Sequence, residues 1–322
     1  MKRFFSIGEA LIDFIPSKTN VNLKDVPSFT KTAGGAPANV CACVSKQGID
    51  SGFIGMLGED AFGDYLIDMM KKAGISLNFV LKTNKANTTL AFVSLKEDGE
   101  REFSFYRKPG ADMLLDEKDI KDDWFNKGDF LHFCSVDLVE APVKYAHKKA
   151  IEIVKSKNGT IVFDPNLRFP LWDDKAELKR TVLDFIPYAD ILKISDNELE
   201  FICGTDNVKK AAKIVFGMGV KLLIYTMGSE GSRVITNDID VFCPAFKVDA
   251  VDATGAGDAF IGCFIAGIIK DDIDIQTLND NTAKILLEKA NACGAIVATK
   301  HGAIASMPSS SKVDDFISKY NS

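Results

Sequence analysis

Several absences narrow what this 322-residue chain can do. Its seven cysteines, an odd number at positions 41, 43, 134, 203, 243, 263 and 293, form no Cys-x-x-Cys pair, and only three histidines (132, 147 and 301) accompany them. A disulfide framework and a zinc site of ordinary ligand spacing are thereby excluded, and thiols used this way point to a reducing cytoplasm. There is no run of basic residues, and 39 Lys plus Arg against 45 Asp plus Glu leave a net charge of −6. Such a surface suits neither nucleic acid nor anionic lipid, so the expected partner is a small molecule. The longest uncharged apolar run, Ala259 to Ile269, is too short to cross a bilayer. A secretory signal is not expected, because Glu9 and Asp13 interrupt the apolar stretch after Lys2 and Arg3 and no small-residue cleavage site follows.

Missing motifs exclude nucleotide-binding classes as well. The chain has no Gly-Lys dipeptide, hence no Walker A loop, and it lacks Gly-x-Gly-x-x-Gly and Asp-Phe-Gly. P-loop enzymes, ordinary dinucleotide-binding dehydrogenases and protein kinases drop out together.

What remains is a globular composition, 46% hydrophobic and 26% charged, enough to bury a sizeable core. Short β-branched or aromatic runs (3–7, 52–56, 130–134, 160–163, 191–194, 221–225) alternate with amphipathic stretches (37–47, 61–72, 142–155, 175–185, 208–216, 257–269). Crossover units feeding a mostly parallel sheet follow, covered by helices on both faces: an α/β/α three-layer sandwich. Two segments break this rhythm, 11–31 and 87–110. Within the second, Thr88 to Leu95 and Arg101 to Tyr106 flank Glu97-Asp98-Gly99-Glu100 and read as a β-hairpin. Neither segment is followed by a helix that returns it to the main layer. Both are therefore placed in a small separate sheet, a lid on one reading and a decorative or dimer-forming surface on the other. No linker or repeat divides residues 1–322, which read as one domain with this excursion.

The strongest chemical signal is Asp252-Ala253-Thr254-Gly255-Ala256-Gly257-Asp258 at the start of an apolar helix. Glycines let backbone N–H groups converge there, and the helix start adds partial positive charge, so the segment suits an anion. Asp258 is then either a dipole-complementing cap or a general base facing a hydroxyl beside a phosphoryl group. Gly34-Gly35-Ala36-Pro37-Ala38-Asn39 is a second helix start, an ordinary loop or a place where backbone and the Asn39 amide close on a polyol. Asp13, set in a hydrophobic stretch, needs hydroxyl or N–H partners if buried. Asp164 to Arg168 and Ser195 to Glu200 each follow a strand, at the sheet edge where open α/β folds bind ligands. Arg168 suits a phosphate or a surface ion pair, and Glu200 suits a magnesium-bound water or a helix N-terminal charge. Thr226 to Gly231 is one more small-residue turn.

Taken together, Gly34-Gly35-Ala36-Pro37-Ala38-Asn39 and Asp252-Ala253-Thr254-Gly255-Ala256-Gly257-Asp258 resemble the two signatures of the ribokinase-type (PfkB) carbohydrate kinases. The match continues in order through 164–168, 197–200, 226–231 and 302–306, nearly the whole chain, with Ala253 in place of the usual threonine. The resemblance implies a ribokinase-like fold and transfer of the γ-phosphoryl of ATP, with Mg2+, to a sugar hydroxymethyl. By carry-over Asp258 is the base, and the amides of Gly255, Ala256 and Gly257 form the anion hole. Arg168 then lies at the transferring phosphate. Lys193, Asn197, Thr226, Gly228, Gly231, Gly257 and Asn291 serve the nucleotide, and Glu200 serves magnesium through water. Asp252, Thr254, Val297, Lys300, Gly302 and Ser306 stand where many members hold a monovalent cation, here K+.

Within the family the pattern from Gly8 to Phe14 and from Gly34 to Val40 is most similar to fructokinases. Asp13, Gly34, Gly35, Asn39, Phe105 and Arg107 would then contact the sugar. An arginine at 107 also fits a kinase of 2-keto-3-deoxygluconate, in which it would meet the substrate carboxylate. A non-catalytic nucleotide- or sugar-binding regulator is the remote alternative, opposed by the presence of Asp258, Gly255 and Gly257. The lid often forms the dimer contact in such proteins, which implies a homodimer as a further expectation.

Overall fold

The computed structural model describes residues 2–18, 20–95 and 101–320; the turn expected at 97–100 lies outside the described residues. In chain order the strands are β1 (Phe4–Ile7), β2 (Leu11–Pro16), β3 (Phe29–Gly34), β4 (Ser51–Gly58), β5 (Val80–Thr83), β6 (Leu90–Leu95), β7 (Arg101–Tyr106), β8 (Phe130–Phe133), β9 (Thr160–Phe163), β10 (Ile191–Ser195), β11 (Leu222–Thr226), β12 (Gly231–Ile235) and β13 (Asp240–Pro244). The helices are α1 (Ala36–Lys46), α2 (Ala61–Ala73), α3 (Pro142–Ser156), α4 (Lys175–Phe185), α5 (Asp196–Cys203), α6 (Val208–Gly217), α7 (Ala256–Lys270), α8 (Asp280–Ala298) and α9 (Ser310–Tyr320).

Nine strands form the main sheet in the order β13-β12-β11-β10-β9-β8-β1-β4-β5. It is parallel from β11 to β5, and β12 and β13 extend it as an antiparallel hairpin. Alternation along each strand sorts the core into two layers. Phe4, Phe53, Phe130, Val162, Ile191 and Leu222 face α1, α2, α7 and α8. Phe5, Ile54, Leu131, Ile161, Leu192 and Leu223 face α3 to α6. The three-layer expectation and the mostly parallel sheet are both observed, with helix boundaries within one residue of those read from periodicity.

The segments that broke the rhythm form a second sheet, in the order β3-β2-β6-β7. Phe14 stacks on Phe92 (ring centroids 4.6 Å apart), with Phe29 edge-on to both, so this small sheet has its own aromatic face. Strand order in the main sheet reverses between β1 and β8, since the chain first grows outward through β4 and β5 and then returns to the other side of β1. Such a switch point leaves a crevice at the carboxyl ends of the strands. The small sheet stands beside that crevice because β2 follows β1 after only three residues.

Candidate active site

Two cavities adjoin at this edge. One, of about 210 Å3, has Asp13, Gly35, Asn39, Phe105, Gly255 and Asp258 in its wall. The other, of about 780 Å3, is bordered by Thr226, Gly228, Gly231, Phe246, Phe260 and Asn291. Asn166, Arg168, Lys193, Ala253 and Gly257 belong to both walls, so the boundary between the cavities is a strip of two cations and a helix N-terminus. A group shared between two ligands would lie there, and the strip suits an anionic one.

α7 begins at this strip because Gly255 takes a left-handed conformation (φ +79°), and a Cβ at Gly255 would come within 2.7 Å of the Ala303 Cβ. The helix that follows is apolar on nearly every side and sits between α1 and α8. It therefore holds its first turn rigidly. Asp258 projects from that turn and is 8% exposed. Its carboxylate accepts a 2.8 Å hydrogen bond from the Asn39 side chain, across 219 positions of sequence. Burial pushes the Asp258 carboxyl above its ordinary value, opposed by the Asn39 bond and by Arg168 and Lys193 nearby. A raised carboxylate pKa makes a stronger base, which is what proton transfer from a hydroxyl requires.

Beneath the strip lies a buried ion pair, Lys193 Nζ to Asp164 Oδ2 at 2.8 Å. Burial lifts Asp164 to about 6, with Lys193 opposing. Burial would lower the Lys193 ammonium, but Asp164, Glu198 and Asp258 outweigh it and hold the ammonium above its ordinary value. The second Asp164 oxygen, Oδ1, is buried with no protein partner.

Most sequence-predicted residues converge on these walls. The Asp13 carboxylate fills the space a side chain at Gly34 would need. Gly35 (φ +101°) turns the chain into α1, and Phe105 reaches the smaller cavity from β7. Asn197 borders the larger cavity. Asn291 borders it too, but its amide is committed to the wall, accepting from Ser232 Oγ (2.8 Å) and donating to the carbonyls of Cys243 and Pro244. The stretches 252–255 and 300–306 lie together through the Gly255–Ala303 approach. In them Asp252 Oδ1 accepts from the Thr254 amide and hydroxyl, Ser306 donates to the Gly302 carbonyl, and Lys300 donates its amide to Val297. The Val297 carbonyl already accepts two amides, those of Thr299 and Lys300.

Four expectations are corrected, the first being the Val297 carbonyl, already occupied by two amides. Glu200 is exposed and borders neither cavity, whereas Glu198 is buried at the larger one. Two residues along a helix rotate a side chain by about 200°, so only one of the two faces the cleft. Glu198 bonds the Leu167 amide (2.7 Å) and the Ser195 amide and hydroxyl. The Ser195-x-x-Glu198 capping box was the sequence signal for it. Arg107 does not reach the cleft wall: it is buried between Asp112 (2.6 Å) and Asp137, with a further bond to the Val136 carbonyl. A sugar acid would therefore find no free guanidinium there. The Ala256 amide donates to the Ala253 carbonyl (3.1 Å) and so is not free for the expected anion hole.

Comparison with known proteins agrees with this geometry. The sequence pattern described as "pfkB family carbohydrate kinase" matches residues 1–310. The chain belongs to this family. Among curated relatives of this PfkB kinase, probable fructokinase-4 of Arabidopsis thaliana is 41% identical over 313 residues, covering 97% of this chain and 95% of the relative. Fructokinase-2 of Oryza sativa subsp. japonica is likewise 41% identical over 315 residues, 98% and 93%. Among solved structures, fructokinase from Xylella fastidiosa with bound ATP superposes with a TM-score of 0.88 at 30% identity over 100% of both chains. A fructokinase double mutant from Vibrio cholerae O395 in fructose, ADP and potassium ion bound form gives 0.89 at 32% identity over 98% of both. The PfkB chain is thus a carbohydrate kinase, a phosphotransferase acting on an alcohol group. No helix among the described residues is long and apolar enough to cross a membrane.

Proposed function

We propose that this chain is a fructokinase, transferring the γ-phosphoryl of ATP to a hydroxymethyl of fructose. The observation that carries the reading is the abutment of the two cavities at Arg168, Lys193 and the start of α7, with Asp258 on the smaller side. Sugar takes the small cavity and nucleotide the large one, so the reacting hydroxyl and γ-phosphoryl meet over the same helix terminus. Asp258 accepts the hydroxyl proton while Asn39 holds its carboxylate in line. The Gly255 and Gly257 amides, with Arg168, stabilise the charge spread over the transferring group.

Among the described residues no group of three or more His, Cys, Asp and Glu is placed to grip a metal alone. That fits a cation which arrives on the triphosphate and keeps several waters. Asp164, with its unpartnered Oδ1, and Glu198 are the carboxylates that would hold those waters. Magnesium bound there neutralises phosphate charge. The loops 252–255 and 300–306 are the place for a potassium ion, offering Asp252, Thr254, Lys300, Gly302 and Ser306 but not the doubly occupied Val297 carbonyl. The same reading takes residues 1–322 as one domain with the small sheet as its lid, and exposed Tyr106 on β7 as part of a homodimer contact. Seven free cysteines support a reducing, cytoplasmic setting.

The fructokinase reading is favoured over a sugar-acid kinase because Arg107 is already neutralised by two carboxylates. A coupled ADP-release assay with fructose, ribose, glucose, adenosine and 2-keto-3-deoxygluconate, with and without potassium, tests it. Turnover selective for fructose is expected; a preference for the keto-acid would overturn the sugar assignment.

A further inference from the structure

Glu9 and Ala36 stand in the wall of the small cavity, next to a cluster of buried charge. Glu9, two residues past β1, is 3% exposed and accepts the Ala36 amide at Oε1 (3.1 Å); its Oε2 is buried with no partner. Near it Arg107, at the end of β7, is gripped by Asp112 and by Asp137, whose Oδ2 is also buried and unpartnered. One guanidinium thus pairs with two buried carboxylates and acts on a third, Glu9, only through space. Burying that many is unfavourable, and apolar side chains of similar volume would pack such a cluster at lower cost, so packing alone does not account for it.

The bond to Ala36 indicates its use. Ala36 is the first residue of α1, and its N–H is one of the donors a helix start leaves unmet. Gly35, just before it, passes so close to Glu9 that a Cβ would lie 2.5 Å from the Glu9 carbonyl. One turn further on, Asn39 donates its own amide to the Gly35 carbonyl (2.9 Å) and its side chain to Asp258. The path from Glu9 to the base is therefore three consecutive hydrogen bonds long.

We propose that Glu9 is a positioning residue for the phosphoryl transfer: its carboxylate clamps the Ala36 amide and thereby fixes the Gly34-Gly35 turn against the sugar and Asn39 against Asp258. The Arg107 charge, held in place by Asp112 and Asp137, favours the ionised form of Glu9 through space, which gives the buried arginine a task in place of a sugar contact. The inference rests on the kinase reading above, and it makes reach, rather than charge, the property that matters at position 9.

Two variants separate those properties. Glu9→Gln keeps the length and an acceptor oxygen but removes the charge, while Glu9→Asp keeps the charge but withdraws the acceptor by one methylene. Wild type and both variants are assayed with the sugar the wild type turns over best, and ATP affinity is measured separately by titration. Glu9→Asp should raise the sugar KM and lower kcat, for a loss of tenfold or more in kcat/KM, with ATP affinity within twofold of wild type. Glu9→Gln, whose oxygen still reaches the Ala36 amide, should lose at least threefold less in kcat/KM than Glu9→Asp does. The reverse order, with Glu9→Gln impaired and Glu9→Asp active, would overturn the clamp, and so would equal losses of sugar and ATP binding in Glu9→Asp. A wild-type enzyme that phosphorylates no sugar would instead count against the kinase reading.

Discussion

Replacing Asp258 by asparagine exchanges one oxygen for an NH2 group at nearly constant volume, so the walls of both cavities stay as they are. The Asn39 side chain, 2.8 Å from the carboxylate, can still donate to the amide oxygen of the new residue. Sugar and ATP should therefore still bind, and what is lost is the group proposed to take the hydroxyl proton. General-base removal costs about 10²–10⁴ in rate, or about 3–5 kcal/mol of transition-state stabilisation. Stability should move the other way. The folded pKa of Asp258 lies above the ordinary 3.8, so the native state holds this proton more tightly than the unfolded chain does. Its contribution to stability is most favourable below 3.8 and declines as pH rises through the raised value, leaving a penalty at neutral pH. Asp258→Asn removes that penalty and should melt at the same temperature as wild type or higher. The assay is kcat by coupled ADP release beside ATP titration and a thermal melt at neutral pH. A kcat within threefold of wild type, or a clearly lower melting temperature with binding intact, would refute the reasoning.

Other outcomes follow from the same site. Lys193→Met leaves Asp164 buried at the floor without its counter-ion and should cost about 3–5 kcal/mol in urea unfolding, a loss that a merely exposed ion pair would not show. Gly255→Ala forces a Cβ into the 2.7 Å gap to Ala303 in a left-handed conformation, which costs about 1–2 kcal/mol of strain. Because it moves an amide of the proposed anion hole, kcat should fall by about 10² or more while far-UV circular dichroism stays unchanged; near-normal turnover would remove Gly255 from the hole.

The sequence by itself determined the layers. Strand candidates with apolar residues at successive positions, such as Ile191 and Leu192, imply burial on both faces, and amphipathic stretches between them imply covering helices. Those are local patterns and were legible with boundaries good to a residue or so. The convergence of glycines and Asp258 at one helix start was legible for the same reason, since a helix N-terminus creates its own anion site from consecutive residues. Partners far apart in the chain were not legible. The bond from Asn39 to Asp258, the Glu9 clamp on Ala36 and the capture of Arg107 by Asp112 and Asp137 each depend on how separate elements dock. Which of Glu198 and Glu200 faces the larger cavity was decided by the phase of a short helix, which the tertiary packing of Leu199 and Ile202 sets. A carboxylate or guanidinium in a sequence carries its chemistry with it, but only the folded chain decides whether a ligand or another side chain satisfies it.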